Sequence, residues 1–333
     1  MLQTKLLSYC CDYNLSDIHI CSNKPVAVRV NGDIEIIDND VIAKEEIISF
    51  LEKKLAPEFL EKFMIYHNLD FALKIENLRF RVNIMQAMGE IALVFRLINS
   101  EVMSLAELNL PDVIEKAIYF KSGLVLITGE TGSGKSTTLT TIIDLINSSR
   151  KAHILTIEDP IEYVHKNKNC IVNQREIGKD CTSFAIALRG ALRQDPDIIL
   201  LGEMRDYETI SLALTAAETG HLVFATLHTN GAASTINRII DVFPKEQQEQ
   251  AKIQLSQSLQ MTITQQLHKT IDNKSRIPSI ELMLCTPAIR NLIRENKTQQ
   301  IESVLQTGGE YGMITMAKSI ESLINKGKIN WQI

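Results

Sequence analysis

Apolar and polar positions along the chain follow two different rhythms, and the change between them falls after residue 98. Before it, short alternating runs predict half-buried strands at Asp17 to Ile20, Val26 to Val30, Ile34 to Ile37, Leu69 to Ile75, Arg79 to Gln86 and Ala92 to Ile98. Asn31-Gly32-Asp33 and Ala87-Met88-Gly89-Glu90 supply hairpin turns. Helical spacing is expected from Leu2 to Tyr13 and again from Lys44 to Tyr66, a stretch rich in Glu, Lys and Leu. The first part of the chain therefore reads as an α+β domain.

From Gly123 onward the apolar runs become continuous and alternate with amphipathic helices. Leu124 to Thr128, Ile154 to Ile157, Asp197 to Leu201 and Leu222 to Leu227 read as strands buried on both faces, which predicts an α/β domain with a parallel sheet. Ligands of such sheets sit at the carboxyl ends of the strands. Between the two domains, 99–120 reads as a linker and lead-in helix, beginning at Asn99 and ending at Phe120. Farther on, Leu255, Leu259, Ile263 and Leu267 recur every fourth residue and predict one helix face in the core.

The chain has 333 residues, of which 45% are hydrophobic and 23% charged, enough for two domains with separate cores. A formal net charge of −5 argues against a surface built mainly for nucleic acid. The six cysteines form no C-x-x-C pair, which speaks against a zinc cluster or redox dithiol and fits a reducing cytosol. No secretory signal is expected at the N-terminus up to Asn14, and no apolar run is long enough to predict a membrane span.

One stretch carries specific chemistry. Gly129-Glu130-Thr131-Gly132-Ser133-Gly134-Lys135-Ser136 matches the phosphate-loop pattern and stands between a predicted strand and a helix from Thr137 to Leu145. Its glycines let backbone N–H groups approach phosphate oxygens, the helix dipole adds to the anion site, Lys135 reaches the β- and γ-phosphates and Ser136 offers its hydroxyl to Mg²⁺. Binding of ATP with Mg²⁺ follows.

The other strand ends bear polar residues suited to such a site. Glu158-Asp159-Pro160 leaves the second strand either as a solvated acidic turn or as a group that holds Mg²⁺ or orients water. Glu203, after Leu200-Leu201-Gly202, occupies the place of a metal-orienting carboxylate acting through water. His228 at the end of the last strand is placed to sense a γ-phosphate, whereas His221 at its start is better placed to support an interface. Arg81 and Arg96 lie among apolar neighbours of one hairpin and either pair with local carboxylates or reach a phosphate across an interface. Arg189 and Arg193 share a helix that is free to face solvent, the acids or a neighbouring subunit.

Taken together, GETGSGKSTTL, ILTIEDPIEYVH, ALRQDPDIILLGEMRD, TGHLVFATLHTN and AIRNLIRE, the last beginning at Ala288, resemble the pilus retraction ATPases of the secretion ATPase superfamily, the PilT and PilU branch. The resemblance implies a hexameric motor for twitching motility with a PAS-like domain over 1–98, a RecA-like core over 121–270 and a helical C-terminal part over 271–333. It further implies Glu158 as general base, Glu203 as a metal-positioning group, His221 and His228 in a histidine box, and Arg81 and Arg96 approaching the γ-phosphate. An inner-membrane platform protein, pilin acting indirectly and a PilU-like paralogue would be its partners, at the cytoplasmic side of the inner membrane. Assembly and secretion ATPases of the superfamily generally add an N-terminal domain and a four-cysteine insertion, neither of which is expected here. A nucleic-acid translocase on the same core is the competing class.

Overall fold

The computed structural model describes residues 2–13, 15–30, 32–98, 102–272 and 275–330. The turn residue Asn31 and the start of the expected linker at Asn99 lie outside these described residues. The chain divides into two compact units, Met1–Glu101 and Val102–Ile333.

In the first unit, α1 (Leu2–Asp12) precedes strands β1 (Leu15–Cys21), β2 (Pro25–Val30) and β3 (Asp33–Val41). Helices α2 (Lys44–Lys54) and α3 (Pro57–Tyr66) follow, and then β4 (Asn68–Ile75), β5 (Leu78–Ala87) and β6 (Glu90–Ile98). The strands form one sheet in the order β3-β2-β1-β6-β5-β4, antiparallel throughout. Leu6 of α1, Ile47 of α2 and Phe63 of α3 pack with Ile18, Val28, Phe80 and Phe95 of the sheet. Phe80 and Phe95 meet edge to face at 5.9 Å.

The single helix expected over Lys44 to Tyr66 is two helices. Pro57 occupies the first turn of α3, and Leu55 and Ala56 before it are extended, because the proline ring excludes the helical conformation from the residue it follows. The β5–β6 turn matches its expectation. Met88 and Gly89 both take positive φ, 53° and 80°, as a two-residue hairpin requires.

The second unit opens with a 3-10 helix, Asp112–Tyr119, where the lead-in helix was expected. After it come β7 (Gly123–Thr128), α4 (Lys135–Ser149), β8 (His153–Glu158), β9 (Ile171–Glu176), α5 (Phe184–Ala191), β10 (Ile198–Leu201), α6 (Tyr207–Glu218), β11 (Leu222–Leu227), α7 (Ala232–Asp241) and α8 (Gln248–Ser258). Strands β12 (Leu259–Lys269) and β13 (Arg276–Leu284) and helices α9 (Pro287–Arg294), α10 (Ile301–Thr307) and α11 (Met316–Asn325) complete it. The seven strands run β13-β12-β7-β11-β10-β8-β9, parallel except for β13.

Strand alternation explains why β7, β10 and β11 are apolar on both parities, with threonines as their only polar members. Leu124 and Leu126 of β7, Val223 and Ala225 of β11, and Ile199 and Leu201 of β10 enter the core beneath α5 to α10. Their neighbours Val125, Ile127, Phe224, Ile198 and Leu200 enter the core beneath α4. Both faces of the sheet are covered, so neither parity of these strands is free to carry a charge, and the hydroxyls of Thr128 and Thr226 are hydrogen-bonded.

The expected helical stripe at Leu255, Leu259, Ile263 and Leu267 is a different object. Helix α8 ends at Ser258, and the last three residues lie on β12. Four residues are nearly one helical turn but also two strand periods, so the spacing serves either element. Beyond 270 the chain first adds β13 to the sheet and only then becomes helical. There α9 buries Ile289 and Ile293, with Leu292 packed at the edge of the same core, as its amphipathic spacing requires. Arg290 of α9 donates to the carbonyls of Ser256 and Gln257 and thereby closes the end of α8.

Strand β12 lies directly against the phosphate loop. A Cβ on Gly129, whose φ is +136°, would stand 2.3 Å from the Gln265 carbonyl oxygen, whereas Gly132 at φ +81° has nothing within 4 Å. Gly129→Ala should therefore lower the thermal midpoint by several degrees, reflecting strain of about 1–3 kcal/mol plus the clash. Gly132→Ala, which carries only the backbone strain, should cost distinctly less in the same scanning-fluorimetry experiment.

Candidate functional site

The phosphate loop follows β7, the strand flanked by β12 and β11 in the seven-stranded sheet. Gly129, Gly132 and Gly134 all have positive φ, which folds the loop tightly over the first turn of α4. Gln265 braces it from β12. The Thr138 hydroxyl donates to Gln265 Oε1 at 2.8 Å, and a Cβ on Gly134 would meet Gln265 Nε2 at 2.7 Å. Beside them, the hydroxyls of Thr128 and Thr264 join β7 to β12 at 2.9 Å.

Lys135 is buried and donates to the Gly129 and Glu130 carbonyls, each at 2.7 Å. Burial pushes its ammonium below the usual lysine range, while the charges of Glu203 and Glu162 pull the other way. Ser133 Oγ is buried in the loop with no hydrogen-bond partner, and Ser136 and Thr137 are exposed at the start of α4. An orphaned hydroxyl, a drawn-in lysine and a glycine cradle together fit phosphate oxygens.

Three strand ends bring polar groups to this same edge of the sheet. Glu158 ends β8, and its Oε1 accepts from Thr156 Oγ1 at 2.6 Å and from Gln174 Nε2 at 3.1 Å. Gly202, beyond β10, donates its N–H to the Ile157 carbonyl at 2.8 Å, and a Cβ there would lie 3.3 Å from Glu158 Cα. A glycine thus lets the Glu158 and Glu203 backbones run close together.

Glu203 is held by Arg205 at 2.6 Å, while His228 Nε2, beyond β11, stands 3.0 Å from its other oxygen. Burial opposes ionisation of Glu203, but the Arg205 hydrogen bond and charge, followed by His228 and Lys135, outweigh it and hold the carboxyl below its ordinary range. One residue pair past His228, Asn230 Nδ2 donates to Glu130 Oε1 at 3.0 Å and ties this loop to the phosphate loop. A cavity of about 320 Å³ opens beside Asp159, Ser183, Glu203, Arg205 and Asp206.

The remaining candidates lie elsewhere. His221 precedes β11 and turns its Nδ1 to the Ala216 carbonyl at 3.0 Å, a strand length of roughly 20 Å from His228. In the first unit Arg81 and Arg96 are cross-strand partners. Arg96 Nε donates to Asp17 Oδ1 at 2.8 Å, Arg29 lies 3.9 Å from the other Asp17 oxygen, and Arg81 lies 4.0 Å from Asp70. Local carboxylates thus engage both arginines in this arrangement. Arg189 pairs with Glu208 of α6. Gln265 and Gln174 lie outside every motif and carry no sequence signal, whereas Thr138, Thr156, Asn230 and Arg205 stand inside quoted motifs without a role assigned to them.

Asp17 supplies a pH test. Burial raises its pKa, but hydrogen bonds from Arg96 and Ser16 and the Arg96 charge bring it below the ordinary aspartate value. A depressed carboxylate contributes stability that is complete above the unfolded pKa, about 3.9, and is lost as pH falls through the folded value. Arg96→Ala leaves burial opposed by less, so acid unfolding of the first unit should begin at higher pH. At neutral pH the loss should be about 1 kcal/mol, because Arg96 is largely exposed and screened. Hydrogen exchange of β1 and β6 peptides across a pH series would measure both.

Comparison with known proteins accords with this geometry. The family model described as "Type II/IV secretion system protein" matches residues 1–328. The chain is 46% identical over 328 residues to the type IV pilus retraction ATPase PilT of Pseudomonas aeruginosa, covering 98% of this chain and 95% of that protein. It is 50% identical over 303 residues to a twitching motility protein of Neisseria gonorrhoeae, covering 91% and 81%. A crystal structure of the pilus retraction motor PilT with bound ADP superposes with a TM-score of 0.91 at 44% identity, covering 98% of this chain and 94% of that one. With the match running through both units and across every strand end of the site, the chain belongs to the type II/IV secretion system protein family.

Proposed function

We propose that this chain is an ATP-hydrolysing motor that powers retraction of a type IV pilus. The observation that carries the reading is the convergence of Glu158, Glu203 and His228 at the strand ends beside the phosphate loop. Likeness to pilus retraction ATPases over nearly the full length supplies the substrate machinery.

In this reading Lys135 and the backbone N–H groups of residues 129–135 hold the phosphates of ATP, with Glu130, Thr131, Ser136 and Thr137 forming the rim. Ser136 and Glu203 fit a Mg²⁺ ion, the serine directly and Glu203 through water; a hydroxyl and an ionised carboxylate beside substrate phosphates are the donor set that ion favours. The ion would neutralise charge between the β- and γ-phosphates. Glu158 takes the proton of the attacking water. His228, joined to Glu203, responds to the γ-phosphate, and Asn230 carries that response to Glu130.

The motor step requires that ATP and its products favour different arrangements of the two units. Arg81 and Arg96 serve that requirement if they exchange Asp70 and Asp17 for the γ-phosphate, within one chain or from a neighbouring copy. A homohexamer pressing on an inner-membrane platform protein from the cytoplasmic side, and acting on pilin through it, completes the proposal. His221 belongs to an interface in this assignment. No described helix is long and apolar enough to cross a membrane, and attachment in this proposal runs through a partner or a surface patch.

Glu158→Gln should retain ATP binding and lose hydrolysis by roughly a hundredfold or more. In cells whose only copy carries it, pili should be abundant and never shorten. Bald cells would indicate an assembly motor, and hydrolysis stimulated by DNA or RNA would indicate a translocase. Arg96→Ala should keep ATP binding while losing about 10³ in turnover. Equal loss of binding and turnover would reduce Arg96 to its role beside Asp17.

A further inference from the structure

We infer that Gln174 and Thr156 are positioning residues that fix the Glu158 carboxylate for its work on water, an inference that rests on the assignment of Glu158 as the base. The two side chains meet on adjacent strands. Thr156 of β8 and Gln174 of β9 are directly paired in register, and Glu158 stands two residues further along the same face. Thr156 is fully buried.

The orientation of the Gln174 amide is forced by its neighbours. Its Oε1 accepts from the His165 backbone N–H at 2.8 Å, a group that only donates. Its Nε2 donates to the Tyr163 carbonyl at 2.7 Å and to Glu158 Oε1 at 3.1 Å, groups that accept. Turning the amide over would break all of these contacts at once. Gln174 therefore holds the loop after Pro160 with two bonds and presents its remaining N–H to Glu158.

The Thr156 hydroxyl donates to the same Glu158 oxygen at 2.6 Å. Two donors on Oε1, one from the same strand and one from the neighbouring strand, fix the position of that oxygen and so the direction of Oε2. A general base whose orientation wandered by an ångström would lose much of its effect, since proton transfer demands hydrogen-bond reach. Sequence offers no hint of this pairing, because no strand is predicted over Asn173-Gln174-Arg175 and only the sheet brings that run beside β8.

The test is a set of ATPase measurements on the full chain. Thr156→Val, close in shape, should lower kcat roughly ten- to hundredfold with KM for ATP within about twofold, and Thr156→Ser, which keeps the hydroxyl, should restore most of it. Gln174→Ala should show the same split. Introduced into Glu158→Gln, each change should leave the residual single-turnover rate within about twofold, because there is no ionised base left to orient. Loss of the same size in both backgrounds, or a rise in KM at unchanged kcat, would overturn the inference and make the pair merely structural. If Glu158→Gln is itself inactive while Thr156→Val and Gln174→Ala hydrolyse ATP at the normal rate, the base stands and the positioning falls. Normal hydrolysis by Glu158→Gln would remove the base assignment first.

Discussion

The close approach of β12 to the phosphate loop governs the rest of the second unit. Gln265 offers its carbonyl to the space beside Gly129, its amide to the space beside Gly134 and its Oε1 to Thr138. Only a backbone without Cβ atoms can lie that close, and only a loop held that close presents its N–H groups to a common point. The glycines are thus a packing requirement as well as a chemical one. They tie the phosphate site to a strand more than a hundred residues away.

A second constraint comes from the double burial of the sheet. With cores on both faces, strands β7, β10 and β11 are apolar apart from Thr128 and Thr226, and charged chemistry is confined to their ends. Glu158, Glu203 and His228 consequently gather at one edge. Gly202 narrows the gap between the first two, and Arg205 keeps Glu203 ionised despite its burial. His221, on the same strand as His228 but at its other end, is excluded from that edge by strand length alone.

The first unit poses a different balance. Asp17 is buried among Arg96, Arg29 and Ser16, and this pairing repays the desolvation of its carboxylate. An arginine released from it to a phosphate would leave that carboxylate with less support. Any phosphate contact proposed for these arginines would therefore have to compete with the ion pairs they make here.

Much of this was legible in the chain itself. The phosphate loop, the buried strands before and after it, the acids at the ends of β8 and β10 and the hairpin at Met88-Gly89 all depend on local backbone demands or on periodicity, and these are written in adjacent residues. Where the sequence misled, two structures shared one pattern: a four-residue apolar spacing suits a helix and a strand alike, so β12 was read as helix, and only its pairing with β7 and β13 decides. The tertiary structure alone brought Gln265 beneath the phosphate loop, Gln174 beside Glu158 and Asp17 beside Arg96. Each is a polar residue in an ordinary strand, and its meaning lies in a partner that register and strand order, not sequence proximity, place within hydrogen-bond distance.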